Sequence, residues 1–84
     1  MKTILLVDDN PKILTLYSRF IEIMGHIPVT ANGSNECIEM IERKSPDLVL
    51  LDIMMEPEDG WETLIRIRKK FPSLNLPVIM ITAT

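Results

Sequence analysis

The chain has one cysteine, Cys37, among 84 residues. A single thiol excludes a disulfide framework within the chain, and no metal-type cysteine spacing exists. Cys37 sits among apolar helical positions and is expected to pack as a small hydrophobe. Long hydrophobic runs are missing too. The first, "TILLV" (Thr3 to Val7), is short and ends at Asp8 and Asp9, so no signal peptide is expected. No stretch approaches the ~20 apolar residues that span a bilayer, so no membrane partner is expected and the location expected is cytoplasmic. Positive charge is scarce. Lys and Arg number 9 against 12 Asp and Glu, for a formal net charge of -3. A phosphate-binding surface needs clustered cations, so no nucleic-acid partner is expected. The one basic cluster, Arg66, Arg68, Lys69 and Lys70, reads as a solvated helix face and C-terminal turn. Repeats, linkers and low-complexity segments are absent as well. One domain over residues 1–84, with a single small core, is the expectation.

What is present alternates between apolar runs and helical periodicity. The run from Thr3 to Val7 reads as a strand. Pro11 opens a helix with Asn10 as its N-cap, Gly25 as its stop, and Ile13, Tyr17, Phe20, Ile21 and Met24 at helical spacing. "IPVT" reads as a second strand. Pro28 lacks an N–H, which places that strand near an edge. Ser34, after the turn at Asn32 and Gly33, is the expected cap of a helix holding Cys37, Ile38 and Ile41 and ending near Lys44. "DLVLL" is a third strand. Trp61, Leu64, Ile65, Ile67 and Phe71 line a third helix that Pro72 ends, and "PVIMIT" is a fourth strand. Strands one, three and four are apolar on both faces, as in a parallel sheet covered by helices on both sides. The class is α/β, with a doubly wound parallel sheet.

In such sheets the functional crevice lies outside the carboxyl ends of the strands. Those ends carry Asp8 and Asp9, Asp52, and Thr82. Three carboxylates and a hydroxyl converge if strands one, three and four are neighbours. Close carboxylates repel, and a hard divalent cation such as Mg2+ relieves the repulsion through oxygen ligands. A carboxylate beside such a cation can attack phosphorus and form an aspartyl phosphate. The plainer reading makes each aspartate a turn residue or a helix cap, with Asp8, Asp9 and Asp59 all candidates.

At this point the motifs resemble a family. "ILLVDDN", "LVLLDIMM…DGWE" and "PVIMITAT" are similar to the receiver domain of two-component response regulators, in register from strand one through strand four. The resemblance implies a flavodoxin-like sheet of order 2-1-3-4 with three helices, lacking the family's last helix-strand-helix. It implies that Asp52 is the phosphoacceptor. Asp9, Asp52 and the backbone carbonyl of Met54 would hold Mg2+ directly, and Asp8 through a water. Thr82 would be the switch hydroxyl, and the backbone amide of Ala83 would help hold the phosphoryl group. The implied phosphodonor is a sensor histidine kinase or a small acyl phosphate.

Two departures from the family pattern stand out. The loop proline usually four residues after the acceptor is Glu56 here, with Pro57 next, and a local turn variation is expected. The pattern also continues past strand four, to a lysine that pairs with the phosphoryl oxygen. Lys2, Lys12, Lys44, Lys69 and Lys70 all belong to other elements. On this reading strand four is a bare apolar edge that invites pairing with a second copy. A homo-oligomer, or a fragment of a longer protein, is then expected, with slow or absent phosphorylation. The alternative function is a non-catalytic dimerisation or docking module. A Mg2+-dependent phosphatase would want an aspartate at position 54, where Met54 stands.

Overall fold

In a computed structural model that describes residues 1–82, strands and helices alternate. They are β1 (Thr3–Val7), α1 (Pro11–Ile23), β2 (Ile27–Ala31), α2 (Ser34–Lys44), β3 (Leu48–Asp52), α3 (Gly60–Lys70) and β4 (Val78–Ile81). The strands form one parallel sheet in the order β2-β1-β3-β4. This is the flavodoxin-like order implied by the motifs. Pro28 lies on the edge strand β2, opposite Ile4, where its missing N–H costs least.

Side chains alternate across the sheet and build two cores. Leu5, Val7, Val49 and Leu51 point to one face and pack with Cys37, Ile38 and Ile41 of α2 and Ile67 of α3. Ile4, Leu6, Leu48 and Leu50 point to the other and pack with Leu14, Tyr17 and Ile21 of α1. Burying a leucine such as Leu5 or Leu51 contributes about 2 kcal/mol.

The helix starts follow local chemistry. Asn10 caps α1, its Oδ1 accepting from Lys12 N–H at 2.9 Å, and Pro11 takes the first turn where no N–H is needed. Asp59 caps α3 in a reciprocal box: its Oδ1 accepts from Glu62 N–H at 2.9 Å, and Glu62 Oε1 accepts from Asp59 N–H at 3.0 Å.

Several expectations are corrected. Ser34 is the first helical residue of α2, and Gly33 is its N-cap without a side-chain bond. Strand three runs one residue later than "DLVLL". It includes Asp52, while Asp47 turns its Oδ2 to accept from Thr3 N–H at 2.8 Å. Periodicity did not decide which apolar residues face inward. Phe20, Met24, Trp61 and Ile65 are half or more exposed, whereas Ile67, Leu64 and Phe71 pack inward as expected and are joined by the buried Gly60 and Thr63. Thr63 is fully buried because its hydroxyl donates to Asp59 carbonyl at 2.8 Å and leaves only its methyl to pack. Nor is the basic cluster a purely solvated face. Arg68 Nη1 donates to the Leu76 carbonyl at 2.8 Å, Lys70 pairs with Glu42 at 3.2 Å, and Arg66 turns to α2. The cause is that α3 lies beside α2 and the segment leading to β4, which supply acceptors that helical periodicity does not reveal.

Candidate functional site

Sheet register assembles the site. Val7 lies opposite Leu51, so Asp8 and Asp52, each the next residue, leave the sheet side by side. Asp52 lies opposite Ile81, which puts Thr82 one step beyond it on the same edge, exposed. Ala83 lies outside the described residues. The structure thus brings Asp8, Asp9 and Asp52 together: one carboxylate oxygen from each lies within 4.8 Å of the others. Asp52 is buried, with 8% of its surface exposed, Asp8 is half-buried and Asp9 is exposed.

Each carboxylate is held by a backbone amide. Met54 N–H donates to Asp52 Oδ1 at 3.1 Å, Asn10 N–H to Asp8 Oδ1 at 2.9 Å, and Glu56 N–H to Asp9 Oδ2 at 3.2 Å. The capping reading holds for Asp59, whereas Asn10 caps α1; Asp8, accepting from the N–H two residues on, is also a turn residue at the entry to that helix. Glu56 gains significance too. Proline has no N–H and could not make the bond to Asp9 that Glu56 makes. The departure from the family's loop pattern adds a contact to the site.

Burial raises the Asp52 pKa above its ordinary value. The Met54 amide opposes the rise, and the charges of Asp8 and Asp9 add to it. A small cavity of about 30 Å³ lies beside Asp8 and Asp52. Leu6, Val7, Leu14, Leu50 and Ile81 are among its walls, and Asp8 and Asp52 are its only acids. Hard oxygen donors at this spacing suit a divalent cation of the Mg2+ kind. Among the described residues, the salt bridges are Arg43–Glu39, Arg66–Glu58 and Lys70–Glu42, so no protein cation pairs with the three aspartates. Lys12 is exposed on α1.

Two backbone features hold the loop after Asp52. Gly60 N–H donates to the Ile53 carbonyl at 2.8 Å, and a Cβ on Gly60 would stand 2.8 Å from Ile53 Cα and closer still to the Asp52 carbonyl oxygen. Only glycine lets α3 begin so close to the end of β3.

The family model for the response regulator receiver domain matches residues 4–84. The chain belongs to this family. The receiver is 37% identical over 82 residues to the alkaline phosphatase synthesis transcriptional regulatory protein PhoP of Bacillus subtilis, covering 98% of this chain and 33% of the relative. It spans about a third of the length of the curated relatives it matches. Among solved structures, the N-terminal domain of a response regulator receiver protein from Methanoculleus marisnigri superposes with a TM-score of 0.94 at 49% identity. That match covers 100% of this chain and 68% of the other. Response regulator protein TrrA from Thermotoga maritima, solved in complex with Mg2+-BeF, superposes with a TM-score of 0.89 at 36% identity, covering 100% of this chain and 71% of that one. The receiver thus carries the fold of a phosphorelay module and an acidic cluster at the carboxyl end of its sheet. No helix among the described residues is long and apolar enough to cross a membrane.

Proposed function

We propose that this receiver accepts a phosphoryl group on Asp52 from a histidine kinase or a small acyl phosphate, with Mg2+ bound at the acidic cluster. One observation carries the reading: a buried strand-end carboxylate stands within 4.8 Å of two further carboxylates, with no protein cation paired to them among the described residues. Asp9, Asp52 and the Met54 carbonyl are the direct ligands proposed, with Asp8 acting through a water. Bound there, Mg2+ would supply the positive charge that offsets the carboxylates and the incoming phosphoryl oxygens.

The residues of the chain do the rest. Met54 N–H holds Asp52 Oδ1 and leaves Oδ2 as the nucleophile. Oδ2 forms the new bond to phosphorus as the bond to the donor's imidazole nitrogen or acyl oxygen breaks, and the leaving group departs with that electron pair. The apolar cavity walls exclude bulk water from the underside of Asp52. The Thr82 hydroxyl, one step past the partner of Asp52, is the proposed donor to a phosphoryl oxygen. The Ala83 amide is the second. A cytoplasmic location is part of this reading.

The test is intact-protein mass after incubation with Mg2+ and a small acyl phosphate. One added phosphoryl group, absent without Mg2+ and absent in Asp52→Asn, is the expected result. No added mass in the wild type overturns the reading.

A docking role has its own support. Among the described residues β4 pairs with β3 alone, and Ile79 on it is half exposed. Association of two copies through this edge is the proposed form, and light scattering at increasing concentration measures it. A mass that stays monomeric removes this reading.

A further inference from the structure

Arg66 reaches from α3 into the gap between the first turn of α2 and the loop that follows Asp52. Its Nη1 lies 2.6 Å from Glu58 Oε1, 2.9 Å from Ser34 Oγ and 2.9 Å from Asn35 Oδ1. The two charged side chains are half-buried, at 38% and 34% exposure, less open than Arg43–Glu39 or Lys70–Glu42. One nitrogen with two hydrogens faces three oxygens. The carboxylate takes the charge-assisted bond, and the neutral oxygens share what remains.

Glu58 is what Arg66 holds. Among the described hydrogen bonds, it has the one side chain of residues 53–58 bonded to another element. Two residues earlier, Glu56 N–H holds Asp9, and four residues earlier Met54 N–H holds Asp52. The loop is therefore pinned to the carboxylates at its near end and to α2 and α3 through Glu58 at its far end. Without Arg66, the half-buried Glu58 carboxylate loses its cation and is expected to turn toward water.

We propose that Arg66 is a positioning residue. Through Glu58 it sets the loop geometry that lets Met54 and Asp9 serve the Mg2+ site. This inference rests on the phosphoacceptor reading of Asp52. Arg66 touches neither the cation nor the phosphoryl group, and its effect lies in metal affinity.

The test is Mg2+ titration of the wild-type chain, Arg66→Ala, Arg66→Lys and Glu58→Gln, followed by the fluorescence of Trp61, the chain's one tryptophan and the residue after Gly60. Far-UV circular dichroism checks the fold of each. Arg66→Ala is expected to weaken Mg2+ binding about tenfold, as loss of an outer-shell contact does. Arg66→Lys falls between, because an ammonium keeps the charge beside Glu58 and loses the reach to Ser34 and Asn35. At saturating Mg2+ the phosphorylation rate of Arg66→Ala returns to within about twofold of wild type, the mark of lost binding and intact chemistry. A folded Arg66→Ala with wild-type Mg2+ affinity overturns the inference. Should Arg66→Ala not fold, Glu58→Gln decides: weaker Mg2+ binding with unchanged circular dichroism supports the inference, and unchanged binding overturns it. A wild-type chain that binds no Mg2+ overturns the phosphoacceptor reading and this inference together.

Discussion

The two faces of the sheet differ in how well they are covered. On the α2–α3 face, Leu5, Val7, Val49 and Leu51 are almost wholly buried and two helices close over them. On the α1 face, among the described residues, one helix packs on Ile4 and Leu6, Leu48 and Leu50 are half-buried, and Ile79 of β4 is half exposed. The acidic site stands on the thin face, where Asp52 follows Leu50 in the alternation and shares its cavity. Cohesion and chemistry are therefore separated by the pleat of a single strand. Leu51 looks into the closed core, and Asp52 looks out of the open one.

Substitution in β3 gives the sharpest contrast between the faces. Leu51→Ala is expected to cost about 3 kcal/mol in urea unfolding, and Leu50→Ala about 1 kcal/mol, because the second site is only half-buried and water fills the gap. Equal costs would break the comparison. Cys37 offers a second readout. Burial pushes its thiol up to about 12, against a lesser opposing effect of Arg66, so a thiol reagent at pH 8 should label it only through opening of the α2–α3 face. Labelling should speed up in Leu51→Ala and much less in Leu50→Ala.

Gly60→Ala probes the seam where the faces meet the loop. The added methyl meets the β3 backbone itself, so the expected loss is about 2 kcal/mol, read from the same urea melts. The residues 53–59 shift with it, and Mg2+ binding should weaken as well.

A smaller effect, of opposite sign, is expected at Asp52. Burial holds its carboxyl above the ordinary 3.8, so the folded chain keeps a proton that the unfolded chain has released. The stabilising contribution of that proton is complete below pH 3.8 and is lost as pH rises through the folded-state value. At neutral pH without divalent cation the charged Asp52 opposes folding. Asp52→Asn should therefore raise the urea midpoint at pH 7 in chelator and leave it unchanged at the acid end. A mutant less stable than wild type at pH 7 would show that the thin face welcomes the charge. Ser45→Gly should do least. Ser45 ends α2 at a φ of 45°, a left-handed position where glycine relieves roughly 0.5 kcal/mol, visible as a small rise in melting temperature.

The sequence by itself determined the element order, the helix starts at Asn10–Pro11 and Asp59–Gly60, and the acids at the strand ends. These depend on local causes: a cap and its N–H, a proline without one, an apolar run closed by aspartate. The motifs of the receiver family added the sheet order, and for each acid the role proposed above. Tertiary structure decided what depends on neighbours distant in the chain. Whether Phe20, Trp61 or Ile65 faces inward is set by the angle at which a helix meets the sheet. Glu56 came to hold Asp9, 47 residues away, because β1 and β3 end side by side. Arg66 read as solvated because its acceptor Ser34 lies 32 residues back, on a helix that reaches it only in the folded chain. Local chemistry places a residue on an element, and only packing tells which other element it meets.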